Sequence, residues 1–182
     1  MSVRPAGGGP LPDAPPPPGV EVRPARPRDR RQITDLIATV AAERRYIRTE
    51  DVARDRSRNK RERARRSWNV DRANIVALAD GRVVGNLGIT RDAEPVGRHL
   101  AWLGMVVAPE WRERGIGSCL LAEAFRWAGW AGVEKVLLTV YPHNDRAINL
   151  YKKFGFTEEG RLSGHSKKSY GYEDEIVMGR WL

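Results

Sequence analysis

Residues 100–118 read LAWLGMVVAPEWRERGIGS: an almost wholly apolar run, a short polar loop and two glycines one residue apart. The run Leu100–Val107 shows no polar alternation, so it predicts a strand buried on both faces. Pro109 and the charged side chains of Glu110, Arg112, Glu113 and Arg114 predict a loop from Ala108 to Arg114. Residues 115–131 then predict a helix, and Val133–Val140 a second apolar strand. Strand, loop, helix and strand make a βαβ unit, whose crossover sets its two strands parallel.

Outward from this unit the elements are hairpins and helices. Asn74–Ala79 and Arg82–Arg91 flank Asp80-Gly81, a two-residue turn signal. Gly19–Arg23 alternates as a short first strand, ended by Pro24 and Pro27. Ile33, Leu36, Ile37 and Val40 recur at helical spacing behind Asp29, a good cap. Downstream, Asn144–Phe154 predicts another helix, and Phe156–Lys168 and Tyr170–Leu182 predict two closing strands.

The chain has 182 residues, enough for one domain with its own core. Residues 1–19 are dominated by Pro and Gly and are expected to be a disordered tail, leaving 20–182 as the domain. The formal net charge is +9, and almost all of the excess falls within residues 20–72. There DVARDRSRNKRERARRSW (51–68) predicts a surface helix with few apolar residues. Such a charge steers an anionic partner: a nucleic acid, an acidic protein or a phosphorylated cofactor. Aromatic interleaving is poor, with Trp68 alone at the end, so nucleic-acid binding is the weaker reading. Cys119 is the sole cysteine and excludes an intrachain disulfide; His99, His143 and His165 are too scattered to suggest a metal site. With no apolar leader and no run long enough to span a bilayer, a cytoplasmic protein that does not engage a membrane is expected.

Two segments carry chemistry. In Arg112-Glu113-Arg114-Gly115-Ile116-Gly117-Ser118 the glycines let the chain turn sharply at a helix start, where free amides and the helix dipole suit a pyrophosphate. The segment matches neither the dinucleotide fingerprint nor the Lys-Ser/Thr phosphate loop. In residues 144–156, NDRAINLYKKFGF, Ala147, Leu150, Tyr151 and Phe154 share one helical face and Gly155 ends the helix. Asn144 reads as its cap and Tyr151 as a packed aromatic with a polar tip.

Together these segments resemble the GNAT superfamily of acetyl-CoA-dependent N-acetyltransferases. Arg112-x-x-Gly115-x-Gly117 resembles the family's pyrophosphate motif, and Val107-x-Pro109 before it also matches. Asn144-x-x-Ala147-x-x-Leu150-Tyr151-x-x-x-Gly155-Phe156 resembles its second acetyl-CoA motif. The resemblance extends from about Val20 to Leu182. It implies an α/β fold of the α+β type: a mixed, mostly antiparallel sheet of six to seven strands, about four helices and a central parallel βαβ unit. It implies that backbone groups of Met105, Val106 and Val107 bind the pantetheine arm. Main-chain amides from Arg112, Glu113, Arg114, Gly115, Ile116, Gly117 and Ser118 would hold the pyrophosphate. Asn144 would touch the arm, and Tyr151 would act as general acid toward the leaving thiolate, with no metal. An amine attacks the thioester directly in a ternary complex, and a homodimer is left open.

The family's usual carboxylate base is missing from His99-Leu100-Ala101-Trp102-Leu103-Gly104. The base stays unassigned, with His99 and Glu173 as candidates and Asp174 and Glu175 beside them; Glu173 and Glu175 also read as one solvated strand face. Cys119 reads as a small buried helix residue. The acceptor is expected to be an amino acid, a small amine or a protein N-terminus. The basic stretch disfavours a polyamine and favours an acceptor bearing a carboxylate. Two rivals differ in class: a catalytically silent acyl-CoA-binding module, and a nucleic-acid binder using residues 51–68.

Overall fold

A computed structural model describes residues 8–49 and 68–182, so the basic stretch, apart from Trp68, lies outside the described residues. Seven strands form one sheet: β1 Val20–Pro24, β2 Arg72–Ala79, β3 Arg82–Arg91, β4 Leu100–Val107, β5 Lys135–Val140, β6 Thr157–Lys168 and β7 Gly171–Trp181. Their order is β1-β2-β3-β4-β5-β7-β6. Every neighbouring pair is antiparallel except β4 and β5. The described residues hold three α-helices: α1 Arg30–Ala42, α2 Ile116–Trp130 and α3 Asp145–Lys153. The expected mixed sheet with one parallel crossover is therefore present. The fourth helix of the sequence reading falls on the residues not described.

Strand alternation divides the core. Along β2, Ile75, Ala77 and Ala79 face one side and Val76 and Leu78 the other. The first side is covered by α2, through Leu120, Leu121, Ala124 and Trp127, and by α3, through Tyr151. The second side is covered by Ile33, Leu36 and Val40 of α1. The β2–β3 turn carries positive φ at both Asp80 (48°) and Gly81 (74°), the backbone that a right-twisted hairpin demands.

Residues 8–19, expected to be a free tail, contain no strand or helix before Val20, and their backbone meets the fold. The Gly8 N–H donates to the Trp181 carbonyl (2.9 Å), and the buried Arg180 guanidinium donates to the Gly9 carbonyl. The first strand is tied to α1 by a buried fork: Arg23 Nη1 to Asp29 Oδ2 (2.7 Å) and Nη2 to Oδ1 (3.0 Å). The Arg23 hydrogen bonds hold the Asp29 carboxyl below its ordinary range, against the opposing effect of burial. Arg23→Ala would leave that buried carboxylate without its counter-charge, with the Arg26 amide (2.7 Å) still donating to it, a loss of about 3 kcal/mol in chemical denaturation at neutral pH. Because the folded Asp29 pKa is depressed, its contribution is complete above the unfolded value of about 3.9. It is lost as pH falls through the folded value, so the stability gap between wild type and Arg23→Ala narrows in acid.

Candidate active site

β4 and β5 are paired over only three positions, Leu100 with Lys135, Ala101 with Val136 and Trp102 with Leu137. Beyond them β4 continues to Val107 and β5 to Val140 without bonding each other. Each keeps its other neighbour: β4 stays registered to β3 as far as Val107, and β5 to β7 as far as Val140. The strands therefore diverge, and the β4 backbone past Trp102 faces the gap with no strand to pair with. A cavity of about 460 Å³ fills the divergence, walled by Leu103–Val107 on one side and Thr139–Tyr141 on the other.

At one end lies the glycine loop. Glu113 (φ 60°) and Gly115 (φ 83°) turn the chain, and α2 begins at Ile116. The Cys119 N–H makes the first helical bond, to the Gly115 carbonyl at 3.1 Å. The amides of Ile116, Gly117 and Ser118 thus come before the first intrahelical donor and have no acceptor within the helix. Gly117 lines the cavity, and a Cβ built there would come within 2.7 Å of Leu150 Cδ2. An extended chain with an anionic end fits this shape: backbone edge, loop amides and a floor cleared by glycine.

Most of the expected binding residues meet here. Met105, Val106, Val107, Arg112, Glu113, Gly115, Gly117, Ser118, Asn144 and Tyr151 all line the cavity. Arg114 and Ile116 do not. The Arg114 guanidinium lies 5.3 Å from the Trp111 ring centre, and Ile116 is buried in the core. Arg112 is a brace rather than a free cation. Its Nη1 donates to Glu43 Oε2 (2.9 Å), its Nη2 to Glu43 Oε1 and its Nε to the Val107 carbonyl (3.2 Å). Asn144 caps α3, accepting from the Ala147 N–H at 3.3 Å. Tyr151 packs edge-on against Phe156, and burial pushes its hydroxyl pKa up to about 12. Burial likewise pushes the Cys119 thiol up to about 11, so it is not a nucleophile at neutral pH.

The expected bases are redistributed. His99 is absent from the cavity lining and precedes β4, where its carbonyl accepts from the Glu134 and Lys135 amides and its ring stacks on Trp181. It occupies the closed end of the βαβ unit, because the strands diverge only further on. Glu173 accepts from the Tyr170 hydroxyl (2.9 Å) and does not line the cavity. Glu175 does, and it is 1% exposed rather than part of a solvated face. Its Oε1 accepts from Ser166 Oγ (2.5 Å) and lies 3.3 Å from Arg48 Nε, while Oε2 has no partner among the described residues. Burial opposes the charge of Glu175, but the Ser166 and Thr139 hydroxyls with Arg48 outweigh it and lower its pKa.

Arg48 has no sequence signal of its own. It stands on the segment after α1, which crosses the cavity mouth with Tyr46 and Ile47. Three distant residues hold this segment by its carbonyls: Tyr170 to Arg44 (3.0 Å), His143 to Arg45 (2.8 Å) and Lys168 to Ile47 (2.5 Å). Among the described residues no group of His, Cys, Asp and Glu could hold a metal ion. No described helix is long and apolar enough to cross a membrane.

A seven-stranded sheet opened between two parallel strands, above a glycine loop at a helix start, defines a fold for holding an extended anionic ligand. The chain belongs to the acetyltransferase (GNAT) family, whose model matches residues 40–156. A curated relative, the L-amino acid N-acetyltransferase AaaT of Escherichia coli (strain K12), is 36% identical over 107 residues, 58% of this chain and 66% of the relative. Other curated relatives are matched over half their length or less, among them the [ribosomal protein bS18]-alanine N-acetyltransferase of Salmonella typhimurium at 32% identity. A GNAT acetyltransferase structure from Streptococcus pneumoniae superposes with a TM-score of 0.74 at 25% identity, over 90% of this chain and 99% of that one. A phosphinothricin acetyltransferase of Sinorhizobium meliloti, solved with acetyl-CoA, shares the fold at TM-score 0.73 and 22% identity, over 90% of this chain and 89% of that one.

Proposed function

We propose that this chain transfers the acetyl group of acetyl-CoA to a primary amine. The observation that carries the reading is the cavity between the diverging β4 and β5, which brings a protonated phenol, Tyr151, and an ionised carboxylate, Glu175, into one enclosure. Bound acetyl-CoA supplies an acetyl thioester; the amine nitrogen gains a bond to its carbonyl carbon as the carbon–sulfur bond breaks. The unpaired β4 backbone from Leu103 to Val107 holds the extended arm by main-chain hydrogen bonds, as an added strand would be held. The α2 amides from Ile116 to Ser118 hold the diphosphate. Glu175 Oε2 accepts the proton that the attacking ammonium must shed, directly or through one water. Tyr151 stabilises the departing thiolate with its O–H and then gives it the proton. Holding both substrates together supplies much of the remaining acceleration.

A thiol-release assay with acetyl-CoA against amines, amino acids and N-terminal peptides tests the reading. CoA release dependent on the acceptor is expected; its absence with every acceptor would contradict it. The pH profile follows from the two groups. Glu175 stays ionised well into acid and Tyr151 stays protonated to about 12, so neither cuts off the rate near neutrality. Activity should rise with pH as the acceptor ammonium deprotonates, with no decline below about pH 10.

A further inference from the structure

Resting on that reading, we infer that Arg48 and Glu175 form one receptor for a zwitterion, so that the acceptor is a free amino acid whose carboxylate lies next to its amine. The two side chains meet through Arg48 Nε and Glu175 Oε1 at 3.3 Å. Glu175 Oε2 is buried and without a partner among the described residues. The two terminal nitrogens of Arg48 likewise have none there, and its side chain is 59% exposed at the cavity. A buried carboxylate oxygen with no donor is costly unless a ligand satisfies it, and an ammonium does so with charge. A planar guanidinium fork presents parallel donors to a carboxylate. Because the two groups touch, the sites for ammonium and carboxylate are neighbours, as the two charges of an α-amino acid are.

The mouth around them also gathers positive charge. The Tyr46 ring has the guanidinium carbons of Arg45, Arg112 and Arg146 within 5.4, 5.2 and 5.4 Å. Arg112 is neutralised by Glu43, while Arg45 and Arg146 are exposed. This field attracts a carboxylate and repels a polyamine. A peptide N-terminus offers the ammonium but puts a neutral amide where Arg48 waits. Tyr46 and Ile47, which precede Arg48 in the chain, line the same cavity and add apolar surface to it.

The test compares α-amino acids with their own carboxamides in the CoA-release assay. The carboxamide's amine is the less basic of the two and is more readily deprotonated at neutral pH, so intrinsic chemistry favours the amide. The wild type is expected to prefer the acid by roughly tenfold to a hundredfold in kcat/KM, as a site built for a polar group rejects the analogue without it. In Arg48→Gln and in Arg48→Lys the acid-to-amide ratio should fall toward one, with the smaller fall in Arg48→Lys, which keeps charge but loses the fork. Equal or better turnover of the amide by the wild type would overturn the inference while leaving acetyl transfer intact. So would an unchanged ratio in both variants, with thermal melts confirming that they fold. No CoA release with either acceptor, while another amine or an N-terminal peptide releases it, would overturn the inference and leave acetyl transfer intact; silence with the whole panel would overturn both.

Discussion

Tyr151→Phe will lower kcat by roughly 10²- to 10³-fold while changing the affinity for acetyl-CoA little. Tyr151 is 6% exposed and packs edge-on against Phe156 with ring centres 5.7 Å apart. Phenylalanine keeps that packing and the floor of the cavity, so the substitution deletes a donor and little else. The leaving thiolate then departs without a proton source, which slows the step after attack rather than binding. Single-turnover kinetics with CoA titrations will separate the two. A variant that lost affinity and kcat in equal proportion would make Tyr151 a packing residue. Undiminished turnover would assign the protonation of the thiolate to another group.

Glu175→Gln is the second large effect, and its signature is different. The amide is nearly isosteric and can still accept from Ser166, so the β5–β7–β6 region should hold. What vanishes is a negative charge on the cavity wall. Both the capture of the ammonium and the removal of its proton weaken, so kcat/KM for the acceptor should fall roughly hundredfold or more while the acetyl-CoA affinity stays. Raising the pH should restore part of the loss, because an amine already deprotonated in solution has less need of a base. If the deficit were the same at every pH, Glu175 would be a structural anchor for β6 and not a group that handles the proton.

Much of this arrangement was legible locally. The Gly115–Gly117 turn and the Asn144-capped helix depend on neighbours a few residues away, so their pattern is written in the chain. The divergence of β4 from β5 is not written there, because nothing in Leu100–Val107 says where pairing stops. The two glutamates show a different limit. Period-two alternation sets Glu173 and Glu175 on one face, but a register shift between Leu162 and Ser166 in the β6–β7 pairing brings the Ser166 hydroxyl to Glu175. One carboxylate is thereby buried in the cavity and the other is left beside it. Arg48 was silent because its position is set by Lys168, His143 and Tyr170, more than ninety residues downstream. Arg112 and Arg114 look alike as charges; Glu43, at the end of α1, and the Val107 carbonyl distinguish the brace from the surface side chain.

The central claim is that a diphosphate is held by the amides at the start of α2 and its thioester arm by the unpaired edge of β4. Calorimetric titration of the full chain with acetyl-CoA, beside Gly115→Val, tests it most directly. Gly115 has φ of 83°, where a β-branched residue is strained by about 1–2 kcal/mol and the loop must shift. Saturable binding by the wild type, weakened roughly tenfold in the variant with the fold intact by circular dichroism, is the predicted result. No heat with the wild type, or equal affinity in the two proteins, would contradict it.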